Sequence, residues 1–302
     1  MTEKCGFVAL IGEPNAGKST LMNRMVGSKI AIVTHKVQTT RARLRGIALR
    51  GETQIVFVDT PGLFRTKRKL DRAMVAAAWS GAADADVVVL LVEAHRGITK
   101  GVEMILEGLE KRGNPKQVVA LAINKIDKVK SEVLLALTKE LNERFPFAET
   151  FLISAEKGHG VEALGKWLEK TLPEGPWLYP EDQIADAPMR MIAAEITREK
   201  LMLRLHQELP YQLTVETEHW NERKDGSVRI DQVIYVARDG HKGIALGPKG
   251  ATIKAVSMAA RQELSEMLGR EVHLFLQVKV RPNWENEAER YSEMGLDFKD
   301  TN

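Results

Sequence analysis

Apolar runs and amphipathic stretches alternate along the first half of the chain. The runs are rich in Val, Ile and Leu, as in strands, whereas the stretches between them repeat apolar residues every three or four positions, as in helices. This alternation predicts a parallel sheet covered by helices on both faces, with ligands at the carboxyl ends of the strands. The strand-like runs are residues 7–12, 53–60, 86–94, 116–125 and 150–155, and the clearest helical stretches are residues 19–27, 102–113 and 131–145.

The pattern changes at LPEGPWLYPEDQIADA, residues 172–187, where prolines and a glycine interrupt any continuous helix or strand. After this segment the order is helix, strand, strand, helix, strand, which is typical of an α+β domain. We therefore predict an α/β domain at residues 1–172, a linker at 173–186 and an α+β domain at 187–302. The patterns of the second domain lie at residues 186–207, 209–220, 227–239, 242–269 and 271–282.

Composition excludes several classes of protein. With Cys5 as its single cysteine, the chain can form neither an internal disulfide nor a thiolate metal site. Its longest apolar run, Val87 to Val92, is far shorter than the roughly 20 residues that cross a bilayer. We expect a cytoplasmic protein. Residues 1–180 carry 27 Lys and Arg against 20 Asp and Glu, but residues 181–302 carry 17 against 21, so charge alone does not favour nucleic-acid binding by the second domain.

The stretch GEPNAGKST joins the first strand to the first helix and has the GxxxxGK[ST] spacing. In such a loop, backbone N–H groups wrap a phosphate chain and the helix N-terminus adds a favourable dipole. Gly12 and Gly17 leave room for the backbone to turn. Lys18 is expected at the β- and γ-phosphates and Ser19 at Mg²⁺. A chance glycine turn would not require all of these positions between a strand and a helix.

The stretch VDTPG ends the second strand. Asp59 is expected to hold Mg²⁺ through a water molecule, and the Gly62 N–H to point at the γ-phosphate. Ras-like proteins place a water-orienting glutamine at the next position, where this chain has Leu63. Intrinsic hydrolysis should therefore be slow, with water positioned by the backbone, by another residue of the switch loops or by a partner.

The stretch NKID, after the fourth strand, indicates which base is bound. Asp127 can accept hydrogen bonds from guanine N1–H and the exocyclic amine, which adenine lacks, so ATP should be disfavoured by a factor on the order of 10⁴ or more. Asn124 is expected to brace the loops, and Lys125 to lie over the purine face. In the later stretch ISAEKGHG, the backbone of Ser154 and Ala155 can donate to guanine O6.

These four motifs, in this order, are those of the translation-factor branch of GTPases, and GSKIAIVTHKVQTTRARLRGI resembles Era proteins. In Era-like GTPases the second threonine of TTR meets Mg²⁺ and the γ-phosphate, which implies Thr40, with Thr39 as the alternative. The resemblance implies catalytic roles for Lys18, Thr40 and Gly62, and metal ligation by Ser19, Thr40 and Asp59. The candidate GTP-binding residues are Gly12, Asn15, Ala16, Gly17, Lys18, Ser19, Thr20, Asp59, Gly62, Asn124, Lys125, Asp127, Ser154 and Ala155.

The stretch GPKG in the second domain opens a helix. A GXXG loop brings backbone N–H groups and a basic side chain to the backbone of single-stranded RNA, beside an apolar groove. A helix-capping turn would explain GPKG alone, but its flanks and the order of elements resemble a type II KH domain. Pro248 stands where a basic residue is expected and removes one N–H donor. The candidate RNA-binding residues are Lys242, Gly243, Ile244, Leu246, Gly247, Pro248, Lys249, Gly250, Ile253 and Lys254.

Over nearly the whole chain the resemblance is to the Era family, a P-loop GTPase domain followed by a type II KH domain. It implies a Mg²⁺-dependent GTPase switch that binds 16S rRNA near its 3′ end, acts in 30S ribosomal subunit assembly, associates peripherally with the inner membrane and is a monomer. The other hypothesis is a membrane-associated regulatory GTPase whose KH domain docks a protein partner. The acidic second half favours this alternative, whereas GPKG in its setting favours RNA more strongly.

Overall fold

The computed structural model describes residues 2–36, 39–41, 44–64, 66, 68–112, 117–282, 284, 287–288, 291 and 296–301. The chain forms two compact units. The first comprises Met1–Ala31, Val37–Asp186 and Tyr291–Asn302, and the second comprises Ile32–Lys36 and Ala187–Arg290.

The first unit is built on a six-stranded sheet in the order β2-β3-β1-β4-β5-β6. Every neighbouring pair is parallel except β2 and β3, which form an antiparallel hairpin. Sequence patterns missed β2, because basic residues interrupt its apolar positions and only pairing with β3 makes it a strand. The strands are β1 Lys4–Gly12, β2 Leu44–Arg50, β3 Thr53–Asp59, β4 Val87–Glu93, β5 Val118–Asn124 and β6 Glu149–Ile153.

In the described part of the first unit, five α-helices accompany this sheet, and every residue of β3 and β4 is buried. Strands buried on both sides are expected where helices cover both faces of a parallel sheet. Their uninterrupted apolar sequences, IVFV and VVVLLV, follow from this environment. The mostly parallel α/β fold of the first domain is therefore confirmed. The helices are α1 Lys18–Val26, α2 Lys69–Ala83, α3 Lys100–Arg112, α4 Ser131–Arg144 and α5 Val161–Thr171.

The second unit has a three-stranded sheet in the order β7-β8-β9, with β7 and β8 antiparallel and β8 and β9 parallel. Its core joins Leu201 and Val256 of the helices to Ile234 and Val278 of the sheet. The sequence predicted one helix between the last two strands, but the structure has two, separated at GPKG. The elements are α6 Met189–Arg204, β7 Leu213–Glu222, β8 Val228–Val236, α7 Asp239–Leu246, α8 Ala251–Leu268 and β9 Val272–Val280.

The boundaries between the units differ from those that the sequence predicted. Residues 173–186, expected to form a linker, belong to the first unit and are hydrogen-bonded to its sheet. The Cys5 N–H donates to Pro173 O at 3.3 Å, and the Ile47 N–H donates to Ile184 O at 2.9 Å. The C-terminal segment from Tyr291 also belongs to the first unit, where a short 3₁₀ helix, Phe298–Thr301, contacts α2.

Candidate nucleotide-binding and RNA-binding sites

The loop between β1 and α1 has a geometry that requires glycine at two positions. Gly12 has φ +151°, and a Cβ there would lie 2.5 Å from the carbonyl oxygen of Leu91. Gly17 has φ +100°, and a Cβ there would lie 2.2 Å from Nδ2 of Asn124. The first turn of α1, with Lys18, Ser19 and Thr20, follows directly. The loop thus places the N-terminus of a helix at the carboxyl edge of the sheet, where its free amides attract anions.

Lys18 is buried and directed back into this loop. Its ammonium donates to the carbonyl oxygens of Gly12 at 3.1 Å and Glu13 at 3.0 Å. Burial lowers the pKa of Lys18 to about 8, and the charges of Asp59, Glu13 and Glu93 oppose the shift only in part. A buried ammonium with incomplete charge compensation is well suited to an anionic ligand in the loop.

Three oxygen-bearing side chains meet beside the loop. The Ser19 hydroxyl donates to Asp59 Oδ2 at 2.7 Å, the Thr40 hydroxyl donates to the same oxygen at 3.2 Å, and the two hydroxyl oxygens are 3.0 Å apart. Burial raises the pKa of Asp59 despite the hydrogen bond from Ser19 and the charge of Lys18. Among the residues that the structure describes, Asp59 Oδ1 has no hydrogen-bond partner. A buried carboxylate oxygen without a partner, next to two hydroxyls, fits a Mg²⁺ site, because Mg²⁺ prefers oxygen ligands.

Gly62 and Leu63 pack against the loop. A Cβ at Gly62 would lie 2.7 Å from the backbone nitrogen of Pro14, so only glycine allows this approach. The Leu63 N–H donates to Gly12 O at 3.0 Å, while its side chain is fully buried in an apolar cluster with Ala78. Leu63 therefore holds the segment in place and offers no side-chain group to a water molecule.

Asn124 braces three segments of the site. Its Nδ2 donates to Ala16 O at 2.7 Å, and its Oδ1 accepts from the Ala155 N–H at 2.9 Å and the Lys125 N–H at 2.8 Å. Lys125 has φ +63°, and its ammonium donates to Asn15 O at 2.7 Å. Asn124 therefore links the phosphate loop, the end of β5 and the loop after β6.

Asp127 is exposed at the rim of the site, whereas the neighbouring Ser154 is fully buried. A hydrogen bond from the Ser154 hydroxyl holds the pKa of the Asp127 carboxyl below its usual range. Both backbone amides expected at guanine O6 have partners within the chain, because the Ser154 N–H donates to His159 O at 2.9 Å and the Ala155 N–H donates to Asn124. The hydroxyl of Ser154, which the sequence left without a role, therefore contacts Asp127.

The GPKG turn of the second unit separates α7 from α8. Gly247 has φ +73°, Lys249 φ +50° and Gly250 φ +77°. A Cβ at Gly247 would lie 2.1 Å from Oγ1 of Thr252, whereas a Cβ at Gly250 would have only Ile253 within 4 Å, at 4.0 Å. Pro248 occupies the first position of the turn, and the Gly250 N–H donates to Gly247 O at 3.1 Å. The turn therefore has one crowded glycine and one open glycine.

The residues around this turn differ in exposure. Ile244 is 58% exposed, whereas Leu246 and Ile253 are half-buried against the core of the second unit. Gly243, Lys249 and Lys254 are exposed and Lys242 is half-buried. Of the three residues expected to line an apolar groove, Ile244 offers the most surface to a ligand.

Fold and site together define a P-loop GTPase unit joined to a KH unit. A model of the 50S ribosome-binding GTPase family matches residues 7–125, and a KH domain model matches residues 208–285. GTPase Era of Dinoroseobacter shibae is 77% identical over 299 residues, covering 99% of this chain and 97% of the relative. GTPase Era of Brucella suis is 60% identical, covering 98% and 94%. The chain belongs to the GTPase Era family.

Two solved structures of Era are similar over the whole chain. One is Era in complex with MgGDPNP and nucleotides 1506–1542 of 16S ribosomal RNA, and the other is a single-residue variant of Aquifex aeolicus Era bound to GDP·AlF4⁻. Each has a TM-score of 0.91 and 38% identity, covering 97% of this chain and 99% of the other.

Proposed function

We propose that this chain is a Mg²⁺-dependent GTPase switch that binds 16S rRNA near its 3′ end and acts in 30S subunit assembly. The nucleotide part is supported by the hydrogen bonds of Asn124 and Lys125 to the phosphate loop, with Asp127 following in the same stretch and hydrogen-bonded to Ser154. The RNA part is supported by the GPKG turn in a KH unit and by the complex of a 38% identical Era with 16S rRNA nucleotides.

Guanine selection follows from the state of Asp127. The carboxylate is ionised at neutral pH, because its pKa lies below the already acidic range usual for Asp, so it can accept from guanine N1–H and the N2 amine. Adenine has no donors on that edge, and a carboxylate without a partner makes ATP binding unfavourable. When guanine binds, the Ala155 N–H would donate to guanine O6 instead of to Asn124 Oδ1. Asn124 would keep its hydrogen bonds to Ala16 and Lys125.

Four residues of the first unit, Ser19, Thr40, Asp59 and Lys18, are proposed to serve hydrolysis. Ser19, Thr40 and Asp59 would hold Mg²⁺, which neutralises charge on the phosphates when bound. Lys18 would move from the carbonyl oxygens of the loop to the β- and γ-phosphates, where its charge is compensated. Because the side chain of Leu63 is buried, water must be oriented by other groups, and we expect slow hydrolysis by the protein alone.

The RNA is expected to lie along the GPKG turn. Gly250 leaves space for a sugar–phosphate backbone, and exposed Lys249 and Lys254 supply positive charge. Ile244 supplies exposed apolar surface for a base. Pro248 supplies no N–H, so backbone contact must come from its neighbours.

The membrane fraction and the oligomeric state are the parts of the proposal that rest on family resemblance alone. We expect a cytoplasmic monomer with a fraction at the inner membrane. None of the helices in the described ranges combines the length and apolar character needed to span a bilayer. Flotation of the protein with vesicles that contain anionic lipid, compared with vesicles of neutral lipid alone, tests the membrane fraction.

Filter binding to an RNA with the sequence of the 16S 3′ end tests the switch. With Mg²⁺, we expect tighter binding with a non-hydrolysable GTP analogue than with GDP, and affinity that falls as salt rises. A scrambled RNA of equal length is the control. Equal affinity for both RNAs in both nucleotide states would contradict the proposal and favour a protein partner for the KH unit.

A further inference from the structure

Glu93 is a buried carboxylate in the first unit that none of the nucleotide-binding motifs includes. It is the last residue of β4, only 6% exposed, and is paired with Asn124 of β5 in the strand register. The carboxyl ends of β1, β4 and β5 carry the phosphate loop, Glu93 and the NKID stretch, respectively. Glu93 thus lies between the segments proposed to hold phosphate and base.

Of the basic side chains that pair with Glu93 in the described part of the chain, Lys125 is the nearest. Glu93 Oε2 is 2.6 Å from the Lys125 ammonium, which is closer than Arg96 Nη1 at 3.5 Å from Oε1 or His95 Nε2 at 3.6 Å from Oε2. Lys125 Nζ also donates to Asn15 O in the phosphate loop. A charge-assisted hydrogen bond between partly buried groups is shorter and stronger than one between neutral groups. Glu93 and Asn15 together fix the end of this side chain.

Fixing the ammonium also fixes the stem of Lys125. The backbone of Lys125 is left-handed, with φ +63°, and its side chain reaches from the end of β5 back to the phosphate loop. A lysine held at both ends presents its methylene groups as a rigid apolar surface, because it has no rotamer freedom left to lose on binding. This is the surface expected to cover the purine.

We propose that Glu93 is a positioning residue for guanine nucleotides, which acts by anchoring Lys125 against the phosphate loop. The inference rests on the proposed GTP binding and adds a residue outside its four motifs. In this proposal Glu93 acts through Lys125 and not on the nucleotide itself. Its charge also reaches Lys18, whose lowered pKa comes first from burial. The test must therefore separate an effect through Lys125 from one through Lys18.

A double-mutant cycle makes this separation. Kd for GDP with Mg²⁺ is measured for the full-length protein, Glu93→Gln, Lys125→Ala and the double variant. We expect Glu93→Gln to raise Kd about tenfold, less than truncating one partner of a fully buried pair, because Lys125 is 24% exposed and regains water. In the Lys125→Ala background the same substitution should change Kd less than twofold. Additive effects would overturn the inference.

Two further variants control for folding and charge. Glu107→Gln removes an exposed carboxylate that pairs with Lys111 on α3, and should leave Kd unchanged. Glu93→Asp keeps the charge but shortens the side chain, and should give a Kd between wild type and Glu93→Gln; it also provides the test if Glu93→Gln does not fold. A cycle with Arg96→Ala should show no coupling. Failure of the wild-type protein to bind GDP would instead contradict the proposed function itself.

Discussion

At the scale of single residues, burying two charged side chains in the proposed nucleotide site costs free energy, which a bound ligand would offset. Lys18 and Asp59 are both buried. Burial lowers the pKa of Lys18 and raises the pKa of Asp59, which in each case favours the neutral form. Desolvation of this kind destabilises the free protein, whereas phosphate and Mg²⁺ would supply the missing opposite charges. The site is therefore built for the bound state.

Lys18 should make nucleotide affinity depend on pH. Its pKa in the free protein is about 8, and phosphate contact would raise it, so binding above pH 8 requires uptake of a proton. We expect Kd for GDP to rise above pH 8 by up to about tenfold per pH unit, measured by titration in one buffer series. In the Lys18→Arg variant the side chain stays charged over this pH range. Any titration of the guanine base of GDP affects both proteins equally, so the Kd of the variant should vary less with pH. Equal pH profiles would show that Lys18 does not carry the effect.

At the scale of secondary-structure elements, the two glycines of the turn between α7 and α8 have different surroundings. One is needed by the fold, and the other is open to a ligand. Gly247 and Gly250 both have positive φ, but only Gly247 is crowded by a neighbouring side chain. The sequence suggests equal roles for the two glycines. Their surroundings assign one to the fold and leave the other open to a ligand.

We therefore expect a substitution at Gly250 to act mainly on RNA binding and a substitution at Gly247 to act mainly on stability. Gly250→Asp places a negative charge in open space on a backbone with φ +77°, so we expect at least tenfold weaker binding to the 16S 3′-end RNA, a loss of stability of about 1 kcal/mol from backbone strain and little change in GTP hydrolysis. Gly247→Ala should lower the stability of the second unit by about 1–3 kcal/mol, through strain and contact with Thr252. Thermal unfolding, RNA binding and GTPase rates measure the three effects. Unchanged RNA affinity in Gly250→Asp would contradict the KH assignment.

The sequence predicts those features whose residues lie close together in the chain. It misses those that depend on pairing between distant segments. The glycines, lysine and hydroxyls of the phosphate loop lie within nine residues, so their spacing alone predicts the geometry. By contrast, β2 depends on pairing with β3, and residues 173–186 are ordered by contacts with β1 and β2. Glu93 was missed because its partner Lys125 is 32 residues away. Such contacts exist only after the sheet has formed.

At the scale of the whole molecule, each unit includes a segment distant in sequence from the rest of it. Residues 32–36 precede Thr40 but belong to the second unit, where the Val33 N–H donates to Glu199 Oε1 at 2.8 Å. The ammonium of Lys36 donates to the carbonyl oxygens of Met202 and Leu205 at the end of α6. A lysine at a helix C-terminus satisfies carbonyls that the helix itself leaves free.

Removing this lysine should loosen the end of α6. We expect Lys36→Ala to lower the free energy of unfolding of the second unit by about 1 kcal/mol, and to speed hydrogen exchange in residues 32–36 and in the last turn of α6. Lys224→Ala, an exposed lysine in the turn between β7 and β8, is the control and should change neither. Exchange rates that match wild type in these segments would show that Lys36 does not hold them.

The most direct test of the account is calorimetric titration of the Mg²⁺-loaded protein with GDP, GTP and ATP. We expect that the guanine nucleotides bind and that ATP binds more weakly by a factor on the order of 10⁴ or not detectably. In Asp127→Asn, preference should shift from GTP to xanthosine triphosphate, because the amide NH2 can donate to the carbonyl oxygen at C2 of xanthine, which replaces the amine of guanine. Equal binding of ATP and GTP by the wild-type protein, or binding of neither, would contradict the central claim.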